Sequence, residues 1–186
     1  GEVIGTGGNG CIFRPALKCK NSNNYYDGIS KFARTKSTAK EWSRLKEMLK
    51  YIKTIPNYKK YFLLQNLQIC RPQKLTLEDK INFKSCDNFP NITANNINEY
   101  IDEFSIINMP YGGVNLDKVI LKGIVKYTQI KELMISLLKN AIIPMNKLNI
   151  YHNDLKASNI LYNNNGIKLI DFGSVLIYNR DQFNRL

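Results

Sequence analysis

Apolar residues recur every three or four positions in two stretches of the chain, and this spacing predicts two amphipathic helices. The first predicted helix covers residues 37–54, and its apolar positions are Trp42, Leu45, Met48, Leu49 and Ile52. The second covers residues 129–148, with a stripe made of Ile130, Leu133, Met134, Leu137, Leu138, Ala141, Ile142 and Met145. Pro144 lies near the end of the second helix and has no backbone donor, so we expect a lost helical hydrogen bond or a kink there.

Short apolar runs bounded by glycine, proline or asparagine predict strands. Residues 3–4 and 11–13 flank a glycine-rich turn, and residues 28–33 and 104–109 form two further β-prone runs. A strand is also expected within residues 69–77. The sequence from Asp87 to Asn98 is polar and rich in turn-forming residues, so we predict a long loop or an insertion there.

A tight hairpin is predicted near the end of the chain. The apolar runs 160–162 and 167–170 are separated by three asparagines and Gly166, which tolerate a positive φ. The hairpin would bring Asn159 and Asp171 side by side at its open end. An amide oxygen and a carboxylate placed there can share Mg²⁺, which prefers oxygen ligands. Asp154, on the preceding loop, could accept the proton of an incoming hydroxyl group.

The motif HNDLKASN at residues 152–159, followed by DFG at residues 171–173, resembles the catalytic and metal-binding loops of protein kinases. The resemblance implies that Asp154 is the base and that Asn159 and Asp171 hold Mg²⁺. It also implies that Lys156 neutralises the transferred phosphoryl group, as in the serine/threonine type.

Asn153 departs from the arginine that the family usually carries at this position. The chemistry of phosphoryl transfer does not require that arginine, so the departure concerns regulation. We therefore expect activity that does not depend on a phosphorylated activation loop.

The sequence GTGGNG at residues 5–10 fits the pattern G-x-G-x-x-G. A dinucleotide site would require a helix directly afterwards, whereas a β-type run and Pro15 follow, which favours the glycine-rich loop of kinases. The resemblance implies nucleotide contacts from Ile4, Gly5, Thr6, Gly7, Gly8, Asn9, Gly10 and Ile12.

Lys31 resembles the kinase lysine that contacts the α- and β-phosphates of ATP, and the family pairs this lysine with a helix glutamate. Glu41 borders the apolar stripe of the first helix, whereas Glu47 shares the solvated side. We therefore predict Glu41 as the partner of Lys31, with Glu47 as the fallback.

The sequence MPYGG at residues 109–113 resembles the kinase gatekeeper and hinge. Met109 would be the gatekeeper, and Pro110 would offer its carbonyl group to adenine. Gly112 would supply the N–H needed two residues later, so the missing N–H of proline is compatible with nucleotide binding.

The resemblance implies an α+β, bilobal protein kinase-like fold. Residues 1–109 would form an N-lobe with an antiparallel sheet and one major helix, residues 110–113 the hinge, and residues 114–186 a truncated, mainly helical C-lobe. We expect the chain to be C-terminally incomplete, because no Ala-Pro-Glu-like sequence follows Gly173. The phrases GTGGNGCIFRPALKC, ISKF, IPNYKKYF and MPYGG look most like the serine/threonine kinases of large DNA viruses.

The expected function is ATP-dependent phosphorylation of serine or threonine in a protein substrate. A small-molecule kinase of the aminoglycoside or choline type is an alternative, although Lys156, the DFG sequence and the glycine loop argue against it. A nucleotide-binding pseudokinase scaffold is a second alternative, although Lys31, Asp154 and the two metal residues argue against that.

The composition adds three expectations. The net charge is +12, but the lysines are scattered, which indicates a solvated basic surface rather than a specific nucleic-acid partner. No apolar run is long enough to cross a membrane. The four cysteines, Cys11, Cys19, Cys70 and Cys86, form no C-x-x-C pair, so we expect no zinc site and reduced cysteines in an intracellular setting, namely host cytoplasm or virion if the protein is viral.

Overall fold

The structure, a computed structural model, describes residues 1–7, 10–22 and 26–178. Its contacts divide the chain into two compact units. The first contains Gly1–Trp42 and Gln65–Tyr111, and the second contains Ser43–Leu64 and the chain from Gly112 onward. The N-lobe expected from the sequence, residues 1–109, includes residues 43–64, whereas these residues belong to the second unit here. The predicted lobe boundaries stay a prediction.

An antiparallel sheet of five strands forms the first unit, in the order β1-β2-β3-β5-β4. Its strands are β1 (Glu2–Gly7), β2 (Gly10–Arg14), β3 (Ile29–Arg34), β4 (Gln68–Cys70) and β5 (Phe104–Met109). The structure confirms the strands predicted at residues 28–33 and 104–109. The strand expected within residues 69–77 begins one residue earlier and is only three residues long.

The segment between β4 and β5, residues 71–103, is named here the β4–β5 segment. It contains four short 3₁₀ turns, at Glu78–Lys80, Phe83–Ser85, Ile97–Glu99 and Ile101–Glu103. The segment contributes buried side chains to the first unit, because Phe83, Phe89 and Ile97 pack into one core with Phe13 and Phe32 of the sheet. Each fully buried side chain of this size contributes roughly 1.5–3 kcal/mol to stability.

Two disulfides cross-link the first unit, and one of them joins the β4–β5 segment to strand β2. Cys11 pairs with Cys86 and Cys19 pairs with Cys70, each with a Cα–Cα separation of 5.7 Å. The expectation of reduced cysteines is therefore wrong in this structure. The paired cysteines are 75 and 51 residues apart in sequence, and only the folded sheet brings them together.

Helix α1 (Thr35–Ile52) follows β3 directly and passes from the first unit into the second. It begins two residues before the predicted helix and also ends two residues earlier. Leu45, Met48 and Ile52 of the predicted stripe are buried, whereas Trp42 and Leu49 are partly buried.

The second unit is built from short helices and two small sheets. Its remaining helices are α2 (Tyr58–Tyr61), α3 (Leu116–Leu121), α4 (Tyr127–Leu137) and α5 (Ile143–Lys147). Its strands are β6 (Val114–Asn115), β7 (Ile150–Tyr151), β8 (Ile160–Asn163), β9 (Gly166–Leu169) and β10 (Leu176–Ile177). One sheet has the order β6-β8-β9, and the other pairs β10 with β7.

The helix predicted over residues 129–148 is observed as α4 and α5 joined by a π-helical turn, Leu138–Ile142. Pro144 lies in the first turn of α5, where its missing N–H is tolerated, and the wider π turn precedes it. The wider turn rotates the apolar residues that follow it relative to those of α4. Leu137, Ala141 and Met145 are buried, but Leu138 is 47% exposed, contrary to the prediction.

Asparagine and aspartate supply the left-handed backbone positions of the fold. Every non-glycine residue with positive φ in the described part of the chain is Asn or Asp, namely Asn21, Asn57, Asn66, Asn82, Asn91, Asn149, Asn153 and Asp171. Their short polar side chains lower the steric cost of this conformation. The abundance of asparagine therefore has a structural use at turns and at the ends of elements.

Across residues 1–7, 10–22 and 26–178, no helix is both long and apolar enough to cross a membrane.

Candidate active site

The glycine-rich turn connects β1 with β2 in the first unit. At Gly5 and Gly7, no protein atom lies within 4 Å of the point where a Cβ would be, and neither residue has a positive φ. The fold itself therefore does not require glycine at these two positions. Their missing side chains leave open space beside the backbone, which suits the close approach of a ligand. Gly8 and Asn9 lie outside the described residues.

Two other residues of this hairpin, Ile4 and Gly10, have distinct surroundings. Strand β1 has an irregularity between Val3 and Gly5, and Ile4 at this point is 43% exposed. Gly10 is buried, and a Cβ there would lie 2.3 Å from the carbonyl oxygen of Phe32, so packing alone requires glycine at residue 10.

Ile12 pairs with Lys31 across β2 and β3 and is partly buried, while Thr6 is exposed opposite Cys11. The sheet register therefore places the lysine of β3 beside the hairpin that carries the glycine-rich turn.

An ion pair joins Lys31 to helix α1. The Lys31 Nζ donates a hydrogen bond to Glu41 Oε1 at 2.8 Å, and the two side chains expose 16% and 13% of their surface. Glu47 is exposed on the same helix. The structure thus contains the pair predicted from the helical periodicity, with Glu41 and not the fallback Glu47. Charge-assisted hydrogen bonds of this kind are stronger than neutral ones, so the pair fixes the lysine head group.

The hinge-like residues fall on both sides of the division between the units. Met109 ends β5, and its carbonyl oxygen lies 2.2 Å from where a Cβ on Gly28 would be, so Gly28 must be glycine. Pro110 follows and is partly buried. In the second unit, Gly112 is buried against the side chains of Leu63 and Leu161, where a Cβ would not fit.

Asp154 is held by two residues of its own loop in the second unit. Lys156 Nζ lies 3.0 Å from Asp154 Oδ2, and Asn159 Nδ2 donates to the same oxygen at 2.9 Å. Asn159 Nδ2 also donates to the Asp154 carbonyl oxygen at 2.8 Å. The hydrogen bond from Lys156 is the main cause that lowers the pKa of Asp154, burial opposes it, and the Asn159 bond lowers it further. The carboxylate is therefore ionised at neutral pH and able to accept a proton.

The hairpin β8–β9 brings Asn159 close to the DFG sequence, as predicted. Its strands pair from Ile160 with Leu169 to Asn163 with Gly166, and the Ile170 N–H donates to the Asn159 carbonyl oxygen at 3.0 Å. Asp171 comes next, is exposed, and has φ 60°, a left-handed conformation that turns the chain sharply at this point.

Asn159 and Asp171 carry the donor types that suit Mg²⁺. Both contacts of Asn159 Nδ2 are made to Asp154, so its amide oxygen projects on the other side of the amide group. An amide oxygen and a carboxylate are the partial ligand set with which Mg²⁺ is commonly held beside phosphates and water. No group of three His, Cys, Asp or Glu side chains in the described ranges forms a metal site by itself.

His152 is a buried support of this loop. It is 4% exposed, its Nε2 lies 2.8 Å from the Ile170 carbonyl oxygen, and its ring packs edge-on against Phe172. Burial is the main cause that lowers the pKa of His152, and the Ile170 carbonyl and the Asp171 charge oppose this effect. The neutral ring with a proton on Nε2 therefore ties the loop before Asp154 to the residue before Asp171.

Two polar contacts near these residues were missed by sequence reasoning. Arg44 of α1 donates a hydrogen bond to the Gly173 carbonyl oxygen in the second unit. In the first unit, Asn88 of the β4–β5 segment donates to the carbonyl oxygens of Gly7 and Gly10. No local pattern identifies either donor, because their partners lie 129 and about 80 residues away in the sequence. The sequence indicates only a long loop or an insertion at residues 87–98, which does not single out Asn88.

Within the first unit, a glycine-rich turn with open backbone and a lysine–glutamate pair are features found in phosphotransferases of the kinase class, and so, within the second unit, is an aspartate held by a lysine and an asparagine. The family model for the protein kinase domain matches residues 1–185. The chain therefore belongs to the protein kinase family, whose activity is phosphoryl transfer to a protein. A comparison with curated proteins found no match.

Proposed function

We propose that this protein is a Mg²⁺- and ATP-dependent serine/threonine protein kinase. The geometry around Asp154 carries the proposal, because Lys156 and Asn159 both contact one oxygen of its carboxylate. The other oxygen remains for the hydroxyl group of a substrate. Lys156 is the residue type that marks serine/threonine kinases in the resemblance described above.

Asp154 positions the substrate hydroxyl group and accepts its proton while the oxygen attacks the γ-phosphorus. The bond to the leaving ADP oxygen breaks in the same transfer, and Lys156 balances negative charge on the phosphoryl group. Because Lys156 is 55% exposed, it can turn from Asp154 toward a bound phosphate at little cost in free energy.

Lys31 contacts the α- and β-phosphates, and Glu41 keeps the lysine head group in place. The open backbone at Gly5 and Gly7 lets the turn approach the phosphates, and Met109, Pro110 and Gly112 contact the adenine side of the nucleotide. Asn159 and Asp171 would hold Mg²⁺, which supplies charge neutralisation for the phosphates when it is bound. The relationship to kinases of large DNA viruses belongs to the same proposal and rests on the sequence phrases alone.

The test is transfer of radiolabelled phosphate from ATP to a mixed protein substrate, followed by phosphoamino-acid analysis. We expect label on serine and threonine that requires Mg²⁺. In parallel, calorimetry on Lys31→Met and Asp171→Asn should show weaker Mg-ATP binding than wild type. Label on aminoglycosides or choline instead of protein would favour a small-molecule kinase. ATP binding without any transfer would favour a pseudokinase, and unchanged affinity in both variants would remove the site assignment.

A further inference from the structure

The β4–β5 segment reaches the glycine-rich turn through one side chain. Asn88 Nδ2 donates a hydrogen bond to the Gly7 carbonyl oxygen at 2.8 Å and a second to the Gly10 carbonyl oxygen at 3.3 Å. These two glycines flank the turn, so a single amide group holds both of its ends. Asn88 is only partly buried, and it lies outside every motif that suggested the function.

Asn88 is itself held firmly by its neighbours in sequence. Two residues before it, Cys86 is bonded to Cys11, which directly follows Gly10 in β2. One residue after it, Phe89 is 4% exposed and packs edge-on against Phe32 and Phe104, with ring centroids 5.9 Å and 4.9 Å away. A covalent bond on one side and an aromatic cluster on the other therefore fix the position of the amide relative to the sheet.

Further bonds attach the same segment to β1. The Val3 N–H donates to the Ile81 carbonyl oxygen at 3.2 Å, and Asn82 Nδ2 donates to Glu2 Oε2 at 3.2 Å. The segment thus follows the hairpin from the start of β1 to the turn.

We propose that Asn88 is a positioning residue for nucleotide phosphates, acting through the glycine-rich turn, and that the Cys11–Cys86 disulfide holds it in place for that task. This inference rests on the proposed function. Because peptide groups are planar, a side chain that holds the carbonyl groups of Gly7 and Gly10 fixes the backbone on both sides of the turn. Backbone amides are the groups with which such turns bind phosphate.

A positioning role for Asn88 can be distinguished from a role in stabilising the fold alone. A positioning role contributes to binding of the phosphates but not to binding of the adenosine moiety. Loss of Asn88 should therefore weaken ATP binding while adenosine binding stays unchanged, and it should raise KM for ATP more than it lowers kcat. One neutral hydrogen bond corresponds to about a two- to twelvefold change in an equilibrium constant, so the loss of both should lower ATP affinity by about five- to 150-fold.

The experiment compares Asn88→Ala and Asn88→Asp with wild type in the full chain, measuring ATP and adenosine affinities by calorimetry and KM and kcat by labelled transfer. The aspartate is nearly isosteric but has no N–H donor, so it should be no better than alanine. Asn96→Ala is the matched control. Asn96 lies in the same segment, but its side chain hydrogen-bonds to Asn91 and Thr93 and not to the glycine-rich turn, so ATP affinity should stay at the wild-type value.

The two disulfides provide a second matched pair. Cys86→Ser should raise KM for ATP. The KM of the double variant Asn88→Ala/Cys86→Ser should not exceed the higher KM of the two single variants, because both changes act on the same contact. Cys70→Ser breaks the other disulfide, which has the same Cα–Cα separation, and should leave KM for ATP unchanged.

Three results would overturn the inference. The first is unchanged ATP affinity in Asn88→Ala beside a wild type that binds ATP. The second is an equal loss of ATP and adenosine binding, which indicates a structural role only. The third is an additive effect of Asn88→Ala and Cys86→Ser. A wild type that binds no ATP would instead overturn the proposed function, and this inference with it.

Discussion

The glycine-rich turn and the Asp154 loop are supported in opposite ways. The turn is held by Asn88 and Cys86, which lie about 80 and 75 residues away in the sequence. Asp154 is held by Lys156 and Asn159, no more than five residues away. The first support depends on the whole sheet and its β4–β5 segment, whereas the second is contained in one short loop and its hairpin.

Because of this difference, we expect substitutions in the two regions to have different effects. A change in the Asp154 loop should remove chemistry while the fold and the nucleotide affinity remain. A change in the long-range links of the first unit should instead alter stability or nucleotide affinity and leave the proton-accepting group intact.

Asp154→Asn should lower the rate of phosphoryl transfer by about 10²- to 10⁴-fold, which is the usual contribution of a general base. The amide is isosteric with the carboxylate but cannot accept the proton. ATP affinity should stay within about twofold of wild type, because the nucleotide phosphates are assigned to other residues. Labelled transfer and calorimetry measure the two quantities, and Asp117→Asn in the same unit is the control. Near-normal transfer by Asp154→Asn would show that another group is the base.

Loss of the Cys19–Cys70 disulfide should lower the free energy of unfolding by about 2–4 kcal/mol, as is typical for a bridge that closes a loop of this length. The check is the urea midpoint of Cys19→Ser/Cys70→Ser without reductant. All four cysteines lie in the first unit, so a reductant added to wild type should speed amide exchange there first. Four free thiols in the native, unreduced protein would contradict the pairing itself.

Glu41→Gln should weaken the use of ATP by about tenfold, because it removes the charge-assisted bond that holds Lys31. The side chains are largely buried, so the bond is little screened by solvent. Glu47→Gln on the same helix is the matched control and should behave like wild type, since Glu47 is exposed. The measurement is kcat/KM for ATP. An equal loss in both variants would point to helix stability rather than to the ion pair.

The features that could be predicted from sequence are those set by neighbouring residues. The hairpin at residues 160–169 follows from two apolar runs around an asparagine–glycine turn, and the choice of Glu41 over Glu47 follows from helical periodicity. Strand β5 was predicted with its observed ends because Pro110 stops it.

The features that could not be predicted depend on distant residues. The disulfides were missed because cysteine spacing alone does not reveal which strands become neighbours. The support of the turn by Asn88 was missed for the same reason, since one more asparagine in an asparagine-rich loop carries no distinguishing pattern. The π turn before Pro144 reflects a local competition between the proline and the helix hydrogen bonds, and it moved Leu138 out of the predicted stripe.

The smallest predicted effect concerns His152 and the pH dependence of stability. Burial lowers the pKa of this histidine in the folded protein below the ordinary value of about 6.5 that applies to the unfolded chain. The unfolded chain therefore takes up a proton first as the pH falls, which favours unfolding. Stability should be complete above about pH 6.5 and decrease below it, by no more than about 1.4 kcal/mol per pH unit for one proton.

The chain contains no other histidine, so few other groups titrate between pH 7.5 and 5.5. Urea unfolding at these two pH values should show a loss of stability in wild type that is much smaller in His152→Gln. Glutamine can still donate a hydrogen bond to the Ile170 carbonyl oxygen but does not titrate, so it separates the charge effect from the lost contact. The same loss in both proteins would assign the pH dependence to other groups. A wild type that is more stable at pH 5.5 than at pH 7.5 would mean that the folded protein accepts the charged His152 ring. The Asp154 loop would then not depend on a neutral, buried histidine for its support.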